Sequence, residues 1–318
     1  MAIAHEGSGM SDQTLRRLVK WTAIGLGVLL VAFSVIYYLG QHTSSGPTLT
    51  ERAVASAEKT VSDAPNDLSA RLKLAAAYRE NQQLEEAQGQ YNEVLKAKPT
   101  ARPALVGLGE TLIAKGDLDG AATTLTKVTG AKMTWAYEAE DPQLEKAFYD
   151  LGSIAATRGK YVDAQDFLAN ALRIDETDAD ALYLLGTVQL KANDPGAAVA
   201  TLSQAVQFVP TGWAEPYAAL ATGYDKLGKK DEAAYANAMV DFANGKDESA
   251  KSRLETLTSS PIKVRAMLGL GMITEKAGDR DVAKSWYQKV LAASPNDFSA
   301  KAGLSRLTDN AATTTGAK

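Results

Sequence analysis

Leu74, Ala75, Tyr78, Ala87, Tyr91 and Val94 are matched 34 positions later by Leu108, Gly109, Leu112, Ala121, Leu125 and Val128. A chain with this period folds as a row of small units, each unable to bury its own apolar face and each completed by its neighbour. The register resumes at Phe148, Leu151, Gly152, Ala164, Leu168 and Ala171, and moves 34 residues to Leu182, Leu185, Gly186, Ala198, Leu202 and Ala205. A fifth copy follows at an offset of 35 through Tyr217, Leu220, Ala221, Tyr224, Ala233 and Val240. A sixth, displaced by 50, runs through Met267, Leu270, Gly271, Ala283, Tyr287 and Val290. The six units start near residues 68, 102, 145, 179, 214 and 264.

Within a unit the apolar residues recur at helical spacing in two stripes, separated by polar turns such as Lys115-Gly116-Asp117 and Lys276-Ala277-Gly278-Asp279. Each unit therefore reads as a helix, a tight turn and an antiparallel helix. Small residues recur where backbones must approach closely: Gly109, Gly152, Gly186 and Gly271 on first helices, and Ala87, Ala121, Ala164, Ala198, Ala233 and Ala283 on second helices. The pattern resembles the tetratricopeptide repeat family over roughly Leu68 to Asp297, most fully in Met267, Leu270, Gly271, Ala283, Tyr287, Val290 and Pro295. Arg71 and Asn237 stand where the family places bulky residues. The resemblance implies an all-α fold, a right-handed solenoid of antiparallel helix pairs that binds protein or peptide partners. By the same resemblance, selected first-helix positions line a concave surface: Leu72, Ala76, Val106, Tyr149, Tyr183, Leu268 and Met272. The combination of Leu72, Ala76, Val106 and Glu110 does not reproduce the Lys/Asn-rich clamp by which some relatives hold a free peptide carboxylate.

The segment 51–67 reads as an accessory helix before the first unit, 298–310 as a capping helix and 311–318 as a frayed tail. Pro65-Asn66-Asp67-Leu68-Ser69-Ala70 is echoed by Pro295-Asn296-Asp297-Phe298-Ser299-Ala300, so the last helix begins like the first unit. Nine extra residues separate units two and three, and Trp135 and Tyr137 there form a second candidate contact patch unless their rings tuck against neighbouring helices. Sixteen extra residues precede unit six, around 244–261, where Leu254 and Leu257 predict an elongated helix or an added turn.

Ahead of the repeats, Trp21 to Gly40 is uncharged and strongly apolar, and a helix of about 20 residues matches the roughly 30 Å hydrocarbon core of a bilayer. Trp21, Tyr37 and Tyr38 stand where interfacial rings belong. The run is longer than the apolar part of a cleaved signal peptide and no Ala-x-Ala follows, which favours a retained single-pass anchor. Arg16, Arg17 and Lys20 precede it, whereas the first charged residues beyond are Glu51 and Arg52, so segment 1–20 is expected in the cytoplasm. The linker 41–50 and the repeats are then expected outside it, periplasmic in a bacterial cell. Ala23 and Gly27 form one small-xxx-small pair, too little to decide homo-oligomerisation.

Composition narrows the chemistry. Lys and Arg number 34 against 38 Asp and Glu, a net charge of -4 with no general attraction for nucleic acid. Cysteine is absent, and His5 and His42, the two histidines, flank the apolar run on opposite sides, so the repeats hold no His-based triad or thiolate metal site. The carboxylate pairs Glu85 with Glu86 and Asp178 with Asp180 carry no accompanying cofactor or metal signal. The expectation is a non-catalytic scaffold or assembly factor without a cofactor. A non-catalytic subunit of a membrane-associated enzyme complex and a structural spacer are the alternatives.

Overall fold

The computed structural model describes residue 26 and residues 29–38, 46–130, 141–208 and 212–315, with 309–315 described by backbone alone. Every regular element among the described residues is helical, and the chain divides into two compact units, Met1–Gln83 and Leu84–Lys318.

In the first unit, α1 (Leu49–Asp63) packs on α2 (Leu68–Glu80). Thr48 starts α1 with a reciprocal cap, its hydroxyl accepting from the Glu51 amide while its own amide donates to the Glu51 carboxylate. Asp67 starts α2 by accepting from the amides of Ser69 and Ala70. The Tyr78 hydroxyl donates to Glu58 at 2.7 Å, tying the two helices together. Residues 29–38 are also helical, with Leu29, Leu30, Phe33 and Ile36 strongly exposed. Much of the Trp21–Gly40 run lies outside the described residues, and among those described no helix is long and apolar enough to cross a membrane.

The second unit is a tandem helical array. Its helices are α3 (Leu84–Ala97), α4 (Arg102–Ala114), α5 (Leu118–Thr129), α6 (Pro142–Thr157), α7 (Tyr161–Ile174), α8 (Ala179–Lys191) and α9 (Pro195–Phe208). There follow α10 (Ala214–Lys226), α11 (Lys230–Ala243), α12 (Asp247–Thr256), a 3-10 turn at Leu257–Ser259, α13 (Lys263–Lys276), α14 (Arg280–Ala293) and α15 (Phe298–Thr315). The pairs α4/α5, α6/α7, α8/α9, α10/α11 and α13/α14 are helical hairpins, and each second helix also packs on the element that follows it. Second helices bury residues at spacings of four and three: Ala121-Leu125-Val128, Ala164-Leu168-Ala171, Ala198-Leu202-Ala205 and Ala283-Tyr287-Val290. The leucine or tyrosine of each set rests on the glycine of its own first helix. A methyl placed on Gly109 would lie 2.6 Å from Leu125 Cδ2, and one on Gly152 2.7 Å from Leu168 Cγ. Each hairpin turns through a left-handed residue five positions before the buried alanine: Gly116, Gly159, Asn193, Gly228 and Gly278.

The same turn occurs once more, inside the insertion. Gly245 has a φ of 74°, Ala250 is buried five residues on, and the Lys246 amide donates to the Asp241 carbonyl at 2.8 Å, as Asp117 does to Leu112 at 2.9 Å. Ala250, Leu254 and Leu257 are buried at the second-helix spacing. A methyl on Gly269 would lie 2.8 Å from Leu254 Cδ1; in the same register Gly107 abuts Tyr91 and Gly303 abuts Tyr287. α12 is therefore a full second helix, and α11 serves twice, as second helix to α10 and first helix to α12. Asn237, at the bulky position of α11, is exposed; α11 instead buries Ala233, Ala236, Ala238, Met239 and Phe242 toward its two partners. The extra sixteen residues thus form a separate helix in an overlapping repeat, not an extension of a neighbouring one.

This overlap changes which helices lie side by side. First helices α4, α6, α8 and α10 form one row, but α13 lies beside α11, and α15 beside α13. Two polar clasps hold α12: Asp241 accepts from Ser249 at 2.8 Å and pairs with Arg253 at 2.9 Å, while Lys276 pairs with Asp247 at 2.9 Å and stands 4.9 Å over the Phe242 ring.

Candidate functional site

Of the seven first-helix positions, the five in the second unit do not form one continuous strip. Leu72 and Ala76 are half-buried in the first unit. Val106 on α4 is only 2% exposed and is a core residue, so the strip loses it as a contact. Leu268 and Met272, half-buried on α13, belong to the row that begins at α11 and pack against the Tyr287 cluster. Trp135 and Tyr137 lie outside the described residues. Tyr149 on α6 and Tyr183 on α8 remain, both half-buried, on adjacent first helices of one row.

The row is anchored at its helix starts. Asp141 caps α6 by accepting from the amides of Gln143 and Leu144 at 2.9 and 3.2 Å, and Asp178 caps α8 from Asp180 and Ala181 at the same distances. Burial opposes charge on Asp141, but the Arg102 guanidinium that bonds to it and the two amides outweigh burial and hold the carboxyl below its ordinary range. Between α4 and α6, Lys146 pairs with Glu110 at 2.8 Å, stands 4.0 Å from Asp150, and lies 6.0 Å from the Tyr149 ring centre. Burial, then the carboxylates of Asp180, Asp178 and Asp150, raise the Tyr149 phenol. Burial and then Glu215 raise that of Tyr183, whose ring meets Trp213 edge-on at 5.2 Å. Two half-buried rings thus lie on adjacent first helices, each with neighbouring carboxylates that help to raise its phenol. Asp180, Glu215 and Trp213 are the members that register alone did not single out. Their signal is the offset of 35 between Asp180 and Glu215, one repeat, set beside the offset of 34 between the tyrosines.

Where α6 meets the start of α8, burial first and then the neighbouring Asp178 carboxyl push Glu145 up to about 7, with a smaller contribution from Asp175 and opposition from Lys146. Glu145 Oε1 is buried with no hydrogen-bond partner. The folded chain thus keeps a proton that the unfolded chain has released, so this carboxyl's contribution to stability is complete below about pH 4.5 and is lost as pH rises to about 7. Glu145→Gln retains the neutral shape. It should match the parent near pH 4.5 and be more stable by on the order of 1 kcal/mol at pH 8, a figure reduced for solvent screening of a half-exposed group. Thermal melts across this range test it; parallel pH dependence in the two proteins would exclude Glu145 as the source.

With this geometry in view, residues 49–224 match the family described as tetratricopeptide repeat protein 21 C-terminal ARM domain, and residues 264–297 match the tetratricopeptide repeat. No curated protein matches the chain by sequence. Among solved structures, PilW, a widely conserved type IV pilus biogenesis factor, is similar with a TM-score of 0.54 at 18% identity, over 70% of this chain and 96% of that one. A MamA RS-1 ArsTM double mutant gives 0.50 at 19% identity, over 58% and 98%. The APC/C hetero-tetramer Cut9-Hcn1 gives 0.48 at 18%, over 81% of this chain but 46% of that one, so the chain spans about half its length. At these identities the likeness concerns the fold.

Proposed function

The chain belongs to the tetratricopeptide repeat family of the protein 21 C-terminal ARM type, and on that premise we propose that it is a membrane-tethered scaffold or assembly factor that holds a protein segment on the α4–α10 row. The observation that carries this reading is the pair Tyr149 and Tyr183, two half-exposed rings one repeat apart on adjacent first helices. Aromatic anchors of this kind dominate protein interfaces. The tether is the apolar run Trp21–Gly40, and Arg16, Arg17 and Lys20 orient it with the N-terminus in the cytoplasm and the repeats on the other side.

Proximity capture in native membranes identifies the partner, which is then titrated against the purified parent and Tyr149→Ala/Tyr183→Ala. A loss of at least about 1 kcal/mol is expected with helicity unchanged, and equal affinities would remove both rings from the interface. For the tether, the full chain should sediment with membranes, and a tag after Lys318 should be cut by protease added to spheroplasts. A tag protected until the membrane is lysed would reverse the orientation.

A further inference from the structure

A cavity of about 600 Å³ opens between the second helices α3 and α5, and α4, which packs on both, contributes Leu105 and Leu108 to its floor. Neither Tyr149 nor Tyr183 lines it, so this surface is separate from the tyrosine row. Gly89 stands at its edge, in the interior of α3. A methyl placed there would meet nothing within 4 Å, whereas Gly109, Gly152 and Gly186 each face a leucine that requires them to be small. The equivalent positions of the other second helices carry Thr123, Asp166, Ala200, Tyr235, Ser252 and Ser285. Glycine inside a helix is less favourable than alanine, so neither helix formation nor packing accounts for Gly89. Its effect is to leave the cavity open above α4.

Three polar groups lining the cavity have no partner among the described residues. Thr124 is only 7% exposed and its hydroxyl makes no hydrogen bond, whereas those of Thr123 and Thr126 donate to the carbonyl four residues back at 2.8 and 2.7 Å. The Asn92 amide on α3 and the Lys127 ammonium on α5 are likewise unengaged. Lys96 is already paired with Glu93 at 2.6 Å, so Lys127 sets the sign of the site. A buried hydroxyl left without a partner is costly, and hydroxyl, amide and ammonium can all donate to one anionic acceptor. The leucine floor favours an apolar body beside that anion. The volume is that of small-molecule sites, and Thr124 is reached by a group that enters between the helices rather than one lying across them. We propose that the α3–α4–α5 cavity binds a small organic carboxylate with an apolar body, its carboxylate held by Lys127, Asn92 and Thr124 and its body resting on Leu105 and Leu108.

The test is titration calorimetry of the detergent-solubilised full chain with 4-phenylbutyrate, using 4-phenylbutanol as the uncharged control. Gly89→Leu, which fills the cavity mouth, is the reference that removes partition into detergent. The parent should bind phenylbutyrate saturably and the alcohol about tenfold more weakly. Lys127→Gln should weaken binding of the carboxylate by about tenfold, and Thr124→Val, which keeps the side-chain shape, should weaken it as well. Gly89→Leu should abolish binding yet melt at or above the parent temperature, because the leucine enters open space and is the better helix former. Heats that are the same for the parent and Gly89→Leu, equal affinity for carboxylate and alcohol, or indifference to Lys127→Gln would each overturn the inference. A lowered melting temperature of Gly89→Leu would overturn it too, since the glycine would then serve packing. Tighter binding of an end-blocked Leu-Glu-Leu peptide than of phenylbutyrate would overturn the assignment to a small molecule.

Discussion

Leu254→Ala should destabilise the region from α10 to α13 by about 2–5 kcal/mol, as much as Leu202→Ala destabilises its own hairpin. Leu254 is fully buried, fills the register place of Tyr91 and Tyr287, and abuts Gly269 of α13. Truncating it empties the contact between α12 and the helix that follows, and α12 has only 10 residues to retain its position. Because repeat arrays open locally, the measurement is hydrogen exchange resolved by segment. Faster exchange should appear in α11 to α13 and be weakest in α4 to α6. A change below about 0.5 kcal/mol, the level expected of a surface substitution, would falsify the assignment of α12 as a second helix.

Gly152→Ala should cost about 1–3 kcal/mol, although alanine is the better helix former. The added methyl would stand 2.7 Å from Leu168 Cγ and 2.9 Å from its Cδ2. Cγ is the branch point, not a flexible end, so relief requires shifting the leucine or separating α6 from α7. Leu168→Ala alone leaves a cavity at a fully buried site, and the methyl on residue 152 would partly fill it. The double substitution should therefore be less destabilising than the sum of the single ones, with an interaction of about 0.5–3 kcal/mol. Additive effects would mean that the two side chains do not share this space.

Much of the architecture is legible because its signals are local. The 34-residue period, the glycine facing a buried leucine and the polar turns are properties of short stretches that every unit repeats. The overlapping repeat was legible in principle, since Gly245, Ala250, Leu254 and Leu257 carry the spacing of Gly278, Ala283, Tyr287 and Val290. Periodicity alone does not separate it, because its first helix also carries the second-helix pattern of unit five, with Asn237 at the bulky position. The candidate site was less legible. Register makes Val106, Tyr149 and Tyr183 equivalent, yet Val106 is buried while the tyrosines are half-exposed.

The sequence by itself therefore determined the class of fold and the hairpin turns, which depend on residues within one helical pair, and the equivalence of Tyr149 with Tyr183, which follows from the 34-residue period. Only the tertiary structure decided that the row of first helices passes from α10 to α11, parting Leu268 and Met272 from the tyrosines. It also set the Tyr183 ring edge-on to Trp213, which stands at the start of the following first helix. The physical reason is that a helix buries whichever faces its neighbours offer. An alanine-rich helix such as α11 can be flanked on two sides, and only packing reveals that both are used.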